Sequence, residues 1–205
     1  MKVLLVTNDS QVFRTGKGRG RRATDLLGEV MPGIPTPTDD LDNEHWYRDR
    51  LQGLLGPAGD RLGGRFTEVR NLFDRLSAEH EACLKVISGR YGLIESSDPI
   101  VPYDLPVESR KGIEDLEERT RFVEDLFRAM KGQECVVFLL PKGFVELLKE
   151  REVFVTDHTV IAVTSRDFKG YLDQRSNCLF MERRGARVGR ENARLIQSTL
   201  KRLRL

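Results

Sequence analysis

Leu84-Lys85-Val86-Ile87-Ser88-Gly89-Arg90-Tyr91-Gly92-Leu93 is the stretch on which the fold turns. The mainly apolar run from Leu84 to Ile87 reads as a buried strand, and it stops in a turn bracketed by Gly89 and Gly92. That turn groups a hydroxyl, a guanidinium and a phenol at one strand end, between glycines that allow close approach to the backbone. Downstream, Pro102-Tyr103-Asp104-Leu105 adds a second phenol and a carboxylate. Two uses fit Tyr91 and Tyr103: plugging the core with their hydroxyls satisfied, or lining a site.

Further apolar runs at 3–6, 136–140, 153–155, 160–163 and 179–181 read as strands. Between them, Tyr47, Leu51, Leu54 and Leu55 recur at helical spacing before Gly56-Pro57, and Phe66, Val69, Leu72, Phe73 and Leu76 repeat the pattern. Leu116, Val123, Leu126, Phe127 and Met130 predict one helix stopped by Gly132, and Pro141-Lys142-Gly143 opens a shorter one. A basic helix at about 189–203 closes the chain, its apolar face formed by Leu195, Ile196, Leu200 and Leu203. Residues 8–40 are rich in Gly, Pro and Thr and read as a long loop, with a short helix around 21–27 to interrupt it. Strands alternating with helices predict a single α/β domain, with a mostly parallel central sheet flanked by helices.

The composition suits that expectation: 205 residues, 39% hydrophobic and 32% charged, describe one globular domain. A net charge of +2 is too small to imply nucleic acid by itself, but the charge is unevenly spread. From Glu182 onward, Arg183, Arg184, Arg187, Arg190, Arg194, Lys201, Arg202 and Arg204 meet only Glu182 and Glu191, whereas 108–125 is acidic. Cys83, Cys135 and Cys178 lie far apart beside apolar residues, so buried reduced thiols in a reducing cytoplasm are expected. No ligand spacing suggests a metal, no cofactor is indicated, and the opening run at 3–6 is too short for a leader or a membrane span.

Open α/β sheets bind ligands beyond the carboxyl ends of their strands. The residues at those ends are Thr7, Asn8, Asp9 and Ser10; Ser88, Arg90 and Tyr91; Lys142 and Gly143 at a helix start; and Ser165, Arg166 and Asp167. Arg90, Lys142 and Arg166 suit a phosphate, a carboxylate or a nucleic-acid backbone. Tyr91 and Tyr103 suit a base or sugar, and Asp104 suits a hydrogen-bond donor, a proton transfer, or an ion pair with Arg90. Gly16-Lys17-Gly18-Arg19-Gly20-Arg21-Arg22 alternates glycine with cations. It lacks P-loop spacing and fits either phosphate contacts through Lys17, Arg19, Arg21 and Arg22 or a solvated loop.

Ile87 to Leu93 together with Pro102-Tyr103-Asp104-Leu105 resembles the YaaA-like superfamily, and Tyr103-Asp104-Leu105-Pro106-Val107 is similar to a related domain of archaeosine synthase. The step from Val137 to Gly143 resembles the apolar-Pro-Lys-Gly step of the same domains. The resemblance spans roughly residues 84–148 and implies an α/β fold in a context of DNA protection or nucleobase modification. The archaeosine-synthase domain carries a Cys and a Lys-Pro-Tyr stretch where Thr7-Asn8-Asp9-Ser10 stand here, which speaks against amidotransfer. By resemblance, Tyr91, Tyr103 and Asp104 are pocket residues. The expectation is a protein binding DNA, RNA or a modified nucleobase; an enzyme acting on a small nucleotide is the alternative.

Overall fold

The computed structural model describes residues 1–15 and 20–203. Its centre is a six-stranded sheet. β1 (Lys2–Asn8) lies inside it and pairs in parallel with β2 (Glu81–Ser88), to which β3 (Gly92–Glu95) adds an antiparallel edge. On the other side of β1 come β4 (Cys135–Leu139), β5 (Thr159–Thr164) and β6 (Cys178–Glu182), all parallel. The order is therefore β6-β5-β4-β1-β2-β3, an α/β fold with a mostly parallel sheet.

Alternate residues of β1 face opposite sides of the sheet. Val3 and Leu5 pack with residues of α1 (Ala23–Val30), α2 (Glu44–Arg50), α3 (Phe66–Ser77) and the C-terminal helix, among them Leu26, Tyr47, Phe66 and Ile196. Leu4 and Val6 pack with Ile113 and Leu116 of α4 (Arg110–Thr120), Leu126 of α5 (Phe122–Met130), and Phe144 and Leu148 of α6 (Lys142–Glu150). Helices cover both faces, so β1, β4 and β5 carry continuous apolar runs rather than alternating ones, whereas β2 keeps Lys85 on a face left partly open. α7 (Arg190–Leu203) buries Ile196 and Leu200, with Ala193 packed beside them. Leu195 and Leu203, expected on that face, are exposed: Leu195 lies about 100° round the helix from Ile196, and Leu203 ends the helix beyond the last buried residue, Leu200.

Three other expectations are corrected. Residues 153–155 form no strand: Glu152 takes a left-handed φ of 56° after α6, the Val153 amide donates to Leu148 O, and Val153 and Phe154 enter the core from a turn. The single helix expected through Leu116 and Met130 is two, broken at Arg121 with φ 53°, where the Glu117 carboxylate accepts the Val123 N–H at 2.9 Å. Leu116 and Val123 reach the same core layer from different helices, so their spacing mimics one face. The thiols are not all buried: Cys135 is enclosed, Cys178 is half-buried and Cys83 is exposed, on the face of β2 that Lys85 also shares.

Residues 8–40 contain more structure than a loop. Val12–Phe13 pairs antiparallel with Arg21–Arg22, and α1 follows directly. No helix among the described residues is long and apolar enough to cross a membrane. The chain builds from β1 to β3 on one side and then returns to β4 on the other. The carboxyl ends of β1 and β4 thus flank the point where strand order reverses, the usual ligand crevice of such sheets.

Candidate functional site

Beyond the carboxyl ends of β1 and β2 sits a buried polar cluster. Asp9 Oδ2 accepts the Gly89 N–H at 2.8 Å and the Tyr103 hydroxyl at 2.5 Å. With its proton committed to Asp9, the Tyr103 oxygen takes the Ser88 hydroxyl at 2.7 Å, and Ser88 Oγ in turn accepts the N–H groups of Arg90 and Tyr91. The three-residue turn after β2 is thereby folded around one serine. Burial raises the pKa of Asp9 above the ordinary aspartate value of 3.8, against the opposing pull of Tyr103, Gly89 and Arg187.

That shift has a testable sign. An acid whose folded pKa exceeds its unfolded one adds stability below the unfolded value, and loses that contribution as pH rises through the folded value. Each pH unit between the two is worth roughly 1.4 kcal/mol. Asp9→Asn keeps an acceptor for Tyr103 and Gly89 and cannot ionise. In urea unfolding, the variant is expected to gain on wild type as pH rises above about 4, until Asp9 ionises in the folded protein; a constant offset between the two would contradict a raised Asp9 pKa.

Gly89 does leave room for a close approach, but the group that approaches is the chain itself. A Cβ there would lie 2.3 Å from the Leu105 carbonyl oxygen, so the 102–107 segment crosses directly over the turn. Gly92 supplies the left-handed φ of 76° that starts β3, with Thr120 packed where a Cβ would stand. Arg119 fixes the turn from outside, donating to Arg90 O at 2.9 Å and Gly89 O at 2.7 Å.

Arg90 is fully buried. Its guanidinium donates to Asp40 Oδ1 at 2.7 Å, to Glu44 Oε2 at 3.0 Å and to Thr38 O, between the rings of Tyr47 and Tyr91. The Tyr91 hydroxyl donates to Glu44 Oε1 at 3.0 Å and the Tyr47 hydroxyl to Asp40 Oδ2 at 2.8 Å. Burial and the Asp40 carboxylate push the Tyr47 pKa up to about 12. Hydrogen bonds from Arg90 and Tyr47 hold Asp40 below the carboxylate range despite its desolvation. Arg90 is thus a latch between the β2 turn and the segment leading into α2. Asp40, Glu44, Tyr47 and Arg119 had no sequence signal linking them to the turn, beyond the rule that a buried guanidinium demands carboxylates.

A second set of side chains opens to solvent on the other side of β1. Lys142 at the start of α6 and Arg166 after β5 line a groove of about 310 Å³ with Pro141, Ser165, Glu182 and Arg183. Lys142 Nζ meets Asp167 Oδ2 at 2.8 Å, which raises its pKa. Arg166 is exposed and makes no ion pair among the described residues. Above the end of β1, buried Arg187 donates to the backbone oxygens of Asn8 and Asp9, to Asn8 Oδ1 at 3.3 Å and to Thr7 Oγ1 at 3.3 Å. Arg187 belongs to the basic tail and is nevertheless a wedge against the sheet.

The expected site residues thus separate into two groups. Asn8, Asp9, Ser88, Arg90, Tyr91 and Tyr103 come together as an enclosed network, whereas Lys142 and Arg166 line the open groove. Asp104 stands outside both: its amide donates to Pro37 O at 2.9 Å, and the ion pair weighed between it and Arg90 goes to Asp40 and Glu44 instead. Arg21 and Arg22 are exposed, Arg21 pairing with Glu29. Lys17 and Arg19 lie outside the described residues. A roomier cleft of about 720 Å³ lies among α4, α5 and α6, where five glutamates outnumber Arg110, Arg121 and Arg151, and Arg110 and Arg121 are already paired with Glu114, Glu150 and Glu124. Among the described residues no three His, Cys, Asp or Glu side chains are grouped to hold a metal ion. No protein-family model matches this chain, and no curated protein matches it.

Proposed function

We propose that this protein binds nucleic acid, laying the phosphate backbone along the carboxyl-end face of the sheet and placing a nucleotide in the groove there. The observation that carries this reading is the convergence of Lys142, Arg166 and Arg183 on one open groove at the ends of three adjacent parallel strands. Exposed cations at strand ends, beside the first turn of a helix, are suited to phosphate oxygens. The sequence adds further cations in Lys17, Arg19, Arg21 and Arg22, and the likeness of 84–148 to YaaA-like domains points the same way. The three free cysteines fit a cytoplasmic setting.

A second reading, an enzyme acting on a small nucleotide, draws on the buried Asp9, whose raised proton affinity suits a general acid or base. Fluorescence anisotropy with labelled DNA and RNA oligonucleotides separates the two. Nucleic-acid binding predicts micromolar or tighter affinity for oligonucleotides and about tenfold weaker binding by the Lys142→Ala/Arg166→Ala double variant. Equal affinity in variant and wild type would remove the groove from the interface. A rise in Tm with mononucleotides, without oligonucleotide binding, would favour the enzyme.

A further inference from the structure

The loop after β6 and the start of α3 bring together Arg65, Arg183, Arg184 and Arg187, opposed among the described residues by Glu68, Glu182 and, at Arg187, Asp9. Arg183 spends its Nε–H on Ala186 O at 3.2 Å, but its Nη1 is enclosed and has no acceptor among the described residues. Arg65, at the start of α3, reaches the same loop by donating to Gly185 O. Arg187, packed nearby, commits its donors to β1. The carboxylate facing Arg183 and Arg187 from α3 is Glu68, whose Oε2 also accepts the amides of Val188 and Gly189 at 3.1 and 3.2 Å. Glu182 lines the groove as well, but pairs with Arg184 at 3.2 Å.

A buried guanidinium N–H without an acceptor is costly, and three neighbouring guanidiniums repel one another. Burial and the charge of Arg65 lower the pKa of Arg183, and burial lowers that of Arg187 to about 10. An anion seated in the groove against the open side of Arg183 relieves the repulsion. A phosphoryl group, whose terminal oxygens diverge from one centre, can face Arg183, Arg166 and Lys142 along the same groove, whereas a carboxylate presents two coplanar oxygens. We infer that Arg183, backed by Arg65 and flanked by Arg166 and Lys142, forms a subsite for a single phosphoryl group at the inner end of the groove. The inference rests on the reading of that groove as a phosphate face, and it deepens it: one phosphate of the ligand is gripped, while the others are held loosely along the rim.

The test uses inorganic phosphate as the probe on the full chain, with chloride at matched ionic strength as the control. Wild type should gain about 3–5 °C in Tm at phosphate near ten times its Kd, with no comparable gain in chloride. Arg183→Met should lose the phosphate-dependent rise. Arg183→Lys, which keeps the charge but not the fork, should keep a smaller one. No phosphate-specific rise in wild type, or the same rise in Arg183→Met, overturns the subsite. Should Arg183→Met fail to fold, isothermal titration of wild type against Arg65→Met and Arg183→Lys decides, and an unchanged Kd in both would overturn the subsite equally. A phosphate response without oligonucleotide binding supports the subsite while the nucleic-acid reading falls. Oligonucleotide binding without a phosphate response does the reverse.

Discussion

Arg90→Ala is expected to destabilise the protein by about 3 kcal/mol, the lower end of the range for removing one partner of a buried ion pair. The lower end applies because Asp40 and Glu44 retain 29% and 19% side-chain exposure and can recover some hydration, whereas Arg90 itself retains none. The variant removes more than two ion pairs. It takes away the donor to Thr38 O and the cation between Tyr47 and Tyr91, and leaves a cavity at the centre of the latch. In a chain of this size that loss corresponds to roughly 6–12 °C in Tm. Arg90→Lys should fall between, since an ammonium keeps the charge but cannot reach Asp40 and Glu44 as a planar fork. Hydrogen exchange should localise the damage to residues 35–47 first, because these are the groups Arg90 holds. A loss below about 0.5 kcal/mol, the scale of exposed pairs, would show that the latch does not hold this segment.

Gly89→Ala is the second large effect. The added methyl would lie 2.3 Å from Leu105 O and 3.0 Å from Val107 Cγ2. The first of these is backbone and cannot rotate away, so the 102–107 segment must lift from the turn. Overpacking of this kind costs about 1–3 kcal/mol or somewhat more. Here it also strains the Gly89 N–H bond to Asp9 and pulls Tyr103 from its two partners. The expected result in urea is a lowered midpoint with an unchanged slope. Gly132→Ala is the contrast: it carries a left-handed φ of 77° in open space, so its cost comes from the backbone alone and should be nearer 1 kcal/mol. Equal costs at the two sites would mean the close approach at Gly89 is not real.

The contrast between these two glycines shows how the sequence could be read and where it could not. Apolar runs produced five of the six sheet strands at recognisable positions; β1, β4 and β5, buried on both faces, are the clearest, while β2 and the edge strand β6 keep a shorter apolar run. β3 escaped notice because an edge strand of four residues, Gly-Leu-Ile-Glu, has neither the length nor the pattern of a buried one. The cluster of polar groups at the end of β2 was visible, and Tyr103 and Ser88 do meet there. Its partners were not visible. Asp40 and Glu44 reach Arg90 across a separation of 50 and 46 residues, and only tertiary packing fixes such a pairing. Arg187 looked like part of a solvated tail, yet it lies wedged against β1 because the loop around it, turned by Gly185 and Gly189 with φ of 70° and 77°, folds back over the sheet.

The strand ends differ in how their polar groups are used. The β1–β2 end is a closed structural knot, whose polar groups satisfy one another. The β4–β6 end keeps Arg166 unpaired and an enclosed Arg183 donor without an acceptor among the described residues. The proposed phosphate contacts therefore fall at the second end.

The dependence of oligonucleotide affinity on salt, compared between wild type and the Lys142→Ala/Arg166→Ala variant, tests that assignment most directly. If the two cations each neutralise a phosphate, the plot of log affinity against log salt is steep for wild type and shallower by about 2 for the variant. Superimposable slopes, or no oligonucleotide binding at low salt, would contradict the account.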